Sequence, residues 1–107
     1  MFKITSETKL ARCGEFKTSH GKIKTPFYMP VVTKGAGKFL TFRSLEEVKT
    51  QCFISNAYLL YLKPGLEAIK KANGYHNFIN WKKPIFTDSG GFQLLDPVQP
   101  VFVLASN

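Results

Sequence analysis

The sequence predicts an α/β protein, and three features carry that prediction. Residues 13–25, CGEFKTSHGKIKT, place two short basic stretches on either side of Ser19-His20-Gly21, as a β-hairpin does. Residues 52–54 (CFI) and 85–87 (IFT) are short apolar runs, partly β-branched, in the manner of buried parallel strands. Between them lies a stretch with helix start and stop signals, so strand, helix and strand follow one another as a βαβ unit with a right-handed crossover. The 107 residues, 44% hydrophobic and 14% aromatic, suffice for one modest core, hence one domain or part of one.

In the hairpin, Gly21 supplies a positive φ at little steric cost. His20 beside it is a candidate catalytic base, although a histidine next to a turn glycine is more often an exposed turn residue. Pro26 ends the hairpin pattern, and residues 27–33 (FYMPVVT) read as a mostly buried strand interrupted by Pro30. Residues 34–39 (KGAGKF) lack the GxxxxGK[ST] spacing of a phosphate-cradling loop, which leaves either a flexible basic loop able to touch a phosphate backbone or a plain connection.

Ser44 and Glu47 form a capping box that predicts a short helix over residues 45–50. The CFI strand follows, and residues 55–65 (SNAYLLYLKPG) carry the chain off it as a loop. Pro64 suits a helix N-terminus, Leu66 and Ile69 share a face, and Asn73-Gly74 is a stop signal, so residues 65–72 are predicted helical. After YHNFINWKK, Pro84 introduces the IFT strand.

That strand ends in TDSGGFQ, residues 87–93, and its ending is informative. In α/β architectures the site lies at the C-terminal ends of parallel strands, where loops present polar groups. Asp88 and Ser89 stand at such an end. Gly90 and Gly91 let the backbone turn sharply and a flat ligand approach, while Phe92 offers a face for a base to stack on. The Asp88 carboxylate is a candidate general acid/base, and equally a cap for the following turn or helix.

Fifteen Lys and Arg against seven Asp and Glu give a net charge of +8, spread from Lys3 to Lys83. This balance fits a polyanionic partner such as nucleic acid, or a lysine-rich solubilising surface. Cys13 and Cys52 are far apart and belong to no CxxC or Cys/His cluster, so they read as two idle or buried thiols in a reducing compartment. The first ten residues contain no signal-peptide core and no run approaches about 18 apolar residues, which predicts a cytoplasmic protein with no membrane partner.

Four blocks, HGKIKTPFYMP, SNAYLLYLKPG, NGYHNFINW and TDSGGFQ, resemble in order and spacing the N-terminal portion of the tRNA-guanine transglycosylases, over about residues 11–93. The resemblance implies a (β/α)₈ TIM barrel opened by extra antiparallel strands, acting on tRNA to replace guanine by a 7-deazaguanine base on the route to queuosine or archaeosine. That chemistry is similar to retaining glycoside transfer: a carboxylate attacks the ribose anomeric carbon, guanine leaves, and the incoming base displaces the enzyme. By resemblance, Asp88 is the acid/base that handles protons on both bases. Ser89 borders the base, Gly90 and Gly91 admit it, Phe92 stacks on it, and Asn56 is a polar neighbour of the nucleophile. Two positions depart from the family's pattern: Leu59 stands for its usual His, and Asn73 for the first Gly of its GGLH stretch.

The family's nucleophile, its main base-recognition residues and its structural zinc site lie downstream of these blocks, so no cofactor or metal is expected in this chain. Residues 94–107 read as an unmatched tail, and Asp96, followed by Pro97, as a turn residue. A (β/α)₈ barrel needs about 200 residues or more, so this chain is expected to supply only its first part. The leading expectation is an enzyme fragment or split subunit, inactive without a complementary C-terminal chain or a homo-oligomer. Against it stand a noncatalytic tRNA- or partner-binding module, a truncated and poorly folded product, and a basic α/β domain unrelated to tRNA. The blocks do not distinguish queuine-type from archaeal members.

Overall fold

The computed structural model describes residues 1–33, 35–37 and 39–91. The chain begins with three antiparallel strands in sequence order, β1 (Phe2–Glu7), β2 (Arg12–Thr18) and β3 (Gly21–Thr25). The expected hairpin is β2–β3, closed at Thr18 opposite Gly21, whose φ of +123° only glycine adopts freely. Thr18 fastens the turn, its hydroxyl donating to the Gly21 carbonyl at 2.8 Å and accepting from the His20 N–H at 3.1 Å. Strand β1 was not expected. All its residues are exposed, so it rests on main-chain pairing with β2, with a register shift between Ile4 and Ser6.

The second sheet is the parallel pair β4 (Phe53–Asn56) and β5 (Ile85–Asp88), in register from Phe53 opposite Ile85 to Asn56 opposite Asp88. This is the expected strand pair, with β4 starting one residue and ending two residues later than expected and β5 one residue longer. The strand expected over residues 27–33 is reduced to one parallel bridge, Val31 to Ile54. The Val32 N–H donates to the Ile54 carbonyl at 2.8 Å, and the Ile54 N–H to the Pro30 carbonyl at 2.9 Å. Pro26 and Pro30 have no N–H to give a longer ladder. Nor is the segment mostly buried: Pro30 and Val32 are, but Tyr28 and Val31 are exposed.

Among the described residues four short helices accompany this pair: α1 (Phe42–Glu47), α2 (Ala57–Leu62), α3 (Leu66–Lys71) and α4 (Tyr75–Ile79). Helix α1 begins three residues earlier than the Ser44–Glu47 box predicts. Its cap is Thr41, whose hydroxyl accepts the Ser44 N–H at 3.1 Å, and Glu47 instead pairs with Arg43 at 3.2 Å. The expected loop after β4 is helix α2. Asn56 caps it by accepting the Leu59 N–H at 2.9 Å, Ala and Leu favour helix, and Tyr58 and Leu60 bury one face. Helix α3 lies within its expected range, and Asn73 ends it in the left-handed region at φ +58°.

The core is Val32, Leu45, Phe53, Ile79 and Trp81, with Phe42, Tyr75 and Ile85 packed on it. The Phe53 and Trp81 rings are tilted by 56° with centroids 5.1 Å apart, within the separation that favours aromatic pairs. Among the described residues three side-chain contacts tie the three-stranded sheet to this body. Phe16 stacks on Phe86 at 6.2 Å, and His20 lies flat on His76 at 3.6 Å. Gln51 is the third, accepting the Lys24 N–H at 2.7 Å and donating to the Lys24 carbonyl at 3.1 Å.

Candidate functional site

The C-terminal ends of β4 and β5 bring two polar residues side by side. Asn56 closes β4 and Asp88 closes β5, paired across the ladder. Asn56 is 5% exposed and its side-chain oxygen is committed to the α2 cap. Asp88 is exposed, and its Oδ1 accepts the Gly90 N–H at 3.1 Å. The turn-capping reading of Asp88 therefore holds, and it leaves Oδ2 without a hydrogen-bond partner among the described residues. One oxygen fixes the carboxylate while the other stays open to solvent or a ligand. This division suits a positioned acid/base.

Gly90 makes the close approach possible. It is buried at φ +69°, and a Cβ built on it would stand 2.6 Å from Tyr58 Cβ and 2.7 Å from Asn56 Oδ1. Any side chain here collides with both. Ser89 and Gly91 are exposed beside it, with the Ser89 hydroxyl 3.6 Å from the Gly91 Cβ position. Phe92, Asp96 and the rest of residues 92–107 lie outside the described residues, as do Lys34 and Lys38 of the basic loop.

Two features of this end escaped the sequence reading. The Tyr58 hydroxyl is buried and has no hydrogen-bond partner among the described residues. Its only sequence signal is a position two residues after Asn56. One residue before Asn56, the 1%-exposed Ser55 donates from Oγ to the Val32 carbonyl at 2.6 Å and meets the Tyr75 hydroxyl at 2.7 Å. Burial pushes the Tyr75 hydroxyl up, while Ser55 and the Gly35 backbone pull it back. This chain ties the segment before the basic loop, strand β4 and helix α4 together directly beneath Asn56.

His20 sits elsewhere, stacked on His76 near Gln51 and Pro84, which precede β4 and β5. It is exposed at the hairpin turn and does not meet Asp88. Cys13 is exposed and Cys52 buried, both as free thiols. The described residues do not fit a zinc site, because no three of His, Cys, Asp or Glu converge among them. Among the described residues no helix is long and apolar enough to cross a membrane.

Beyond the geometry, the sequence matches the family described as TGT, queuine tRNA-ribosyltransferase, over residues 6–101. The chain belongs to this family. It is 55% identical over 84 residues to a queuine tRNA-ribosyltransferase of Halothermothrix orenii, covering 78% of this chain and 22% of that protein. It is 53% identical over 97 residues to one of Aquifex aeolicus, covering 88% and 25%, and 48% identical over 96 residues to one of Neisseria gonorrhoeae, covering 88% and 26%. The chain thus spans about a quarter of the length of these relatives. This is the queuine tRNA-ribosyltransferase family, TGT, that the four sequence blocks resemble, and its N-terminal part is consistent with the mixed α/β structure seen here.

Proposed function

We propose that this chain supplies the first strands, and the proton-handling carboxylate, of a tRNA base-exchange site built on a (β/α)₈ barrel. The observation that supports the reading most directly is the in-register placement of Asp88 beside Asn56 at the ends of two parallel strands, with Gly90 folded against both. Asp88, with Oδ1 held by the Gly90 N–H, gives a proton to the departing guanine and takes one back from the arriving 7-deazaguanine base. Ser89 and the open backbone at Gly91 border that base, and Phe92 stacks on it. The carboxylate nucleophile that attacks the ribose, with Asn56 as its polar neighbour, comes from the remaining length of the fold, supplied by a complementary chain or a homo-oligomer. The +8 charge favours tRNA as the polyanion bound, and the cytoplasm is where such a substrate is met.

The test is labelled-guanine exchange into unmodified tRNA. The chain is mixed with a relative truncated to its remaining three quarters, and Asp88→Asn serves as the control. Exchange that requires both chains and vanishes in the variant is the expected result; mixtures as inactive as the variant reject the reading. The positive charge also favours a second reading, a noncatalytic tRNA-binding module. It requires salt-sensitive tRNA binding that Asp88→Asn leaves intact, in a mixture without exchange.

A further inference from the structure

At the opposite ends of β4 and β5 from Asp88 there is a second cluster of charged groups. A cavity of about 290 Å³ is lined by His20, Lys22, Lys49 and Lys83, with Thr50 and Gln51 completing its polar wall. Among the described residues no carboxylate lines it. Lys22 is balanced by Glu15 at 2.7 Å. The Lys83 ammonium donates one hydrogen to the Thr50 carbonyl at 2.9 Å and lies over the Trp81 ring, 5.2 Å from its centroid, and neither contact neutralises its charge. Lys49 has no side-chain partner among the described residues. Two positive charges therefore remain uncompensated around one small cavity.

A histidine pair borders that excess. The His20 ring lies on His76 with centroids 3.6 Å apart and planes within 5°. His76 is fixed in place by its Nε2, which donates to the Lys83 carbonyl at 3.0 Å, and the Ser19 hydroxyl holds His20 Nδ1 at 3.1 Å. Protonating the His76 ring would place a further like charge beside Lys83. An arrangement of this sign invites a counter-ion.

We propose that this cavity is a binding site for a doubly charged tetrahedral oxyanion of the phosphate class, held by Lys49, Lys83 and the outward imidazole of His20. Its two uncompensated charges match those of the anion. By linkage, the bound anion makes protonation of His76 easier, and acidification tightens its binding. The site is separate from the Asp88 end and stands whether or not base exchange is confirmed.

The experiment uses sulfate, which does not titrate in this range, against chloride at equal ionic strength. Nuclear magnetic resonance follows the His76 ring and the backbone amides of Thr50 and Gln51. The expected result is saturable movement of those amides, together with an upward shift of the His76 midpoint by about half a pH unit. Lys49→Asn, chosen because Asn tolerates the φ of +58° at this position, is expected to weaken sulfate about threefold, as loss of one exposed ion pair does. A short single-stranded RNA with a 5′-terminal phosphate monoester, which reaches the double charge of sulfate, separates the two sources. Displacement of sulfate by RNA supports the site with nucleic-acid phosphate as its anion, and binding of sulfate without displacement supports it with a free anion. Superimposable titrations in sulfate and chloride, or unchanged sulfate affinity in Lys49→Asn, overturn the proposal.

Discussion

Gly90 and Asn56 are locked against each other: the glycine turns at φ +69° with its Cβ position 2.7 Å from the asparagine side-chain oxygen. That oxygen is the one that caps helix α2. The turn that orients Asp88 and the cap that starts α2 are thus one packed unit.

Gly90→Ala tests that unit. The added methyl meets Asn56 and Tyr58, and alanine resists the left-handed backbone, so a loss of about 2–4 kcal/mol is expected from strain and overpacking together. Urea denaturation measures it. A loss below about half a kcal/mol would show that the turn relaxes freely.

The buried Ser55–Tyr75 pair predicts a nonadditive result. Ser55→Ala leaves the Tyr75 hydroxyl with one partner fewer, a cost of about 1–3 kcal/mol for a buried group. Tyr75→Phe removes the other side of the bond, so the double variant is expected to lose less than the two singles added. A double-mutant cycle reads the coupling directly, and strict additivity would argue against the bond.

The two thiols are expected to differ sharply in reactivity. Cys13 is exposed, whereas Cys52 is fully buried and burial pushes its thiol up, which lowers its thiolate fraction. A thiol-reactive dye at neutral pH should label one site per folded chain and two in denaturant, with peptide mapping placing the first on Cys13. Rapid labelling of Cys52 in the folded chain would contradict the packing.

Acid should destabilise the fold through His76. Burial, reinforced by the neighbouring His20, pushes its imidazole below the ordinary value of 6.5, while the Lys83 carbonyl acts in the other direction. The unfolded chain therefore binds this proton at a higher pH than the folded chain. Stability from His76 is complete above about pH 6.5 and is lost as pH falls through the lower folded-state value. Glu15, which Lys22 holds below the usual carboxylate range, titrates lower still and leaves this window clear. The denaturation midpoint is expected to drop between pH 7.5 and 5.5 in 0.1 M chloride, and to drop less in His76→Gln. Equal pH slopes in the two proteins would sink this account.

Local chemistry alone determined the β2–β3 hairpin, the two parallel strands, helix α3 and the polar ending at Asp88, because each is announced by neighbours in sequence: a glycine turn, an apolar run, a proline start or an asparagine stop. The same holds for the family, since four ordered blocks carry it. The remaining features depended on contacts between distant residues. Strand β1 has no buried face of its own and exists because β2 offers a main-chain edge. Helix α2 looked like a loop because, although its start signal, the Asn56 cap, is local, the burial of Tyr58 and Leu60 that holds one face is tertiary. Residues 27–33 looked like a strand, but two prolines leave only Val31 to pair. Most of all, Asn56 and Asp88 are 32 positions apart in the chain, and only the parallel register sets them side by side. Sequence determines which groups the chain carries to the ends of its strands; the ladder between those strands decides which of them meet.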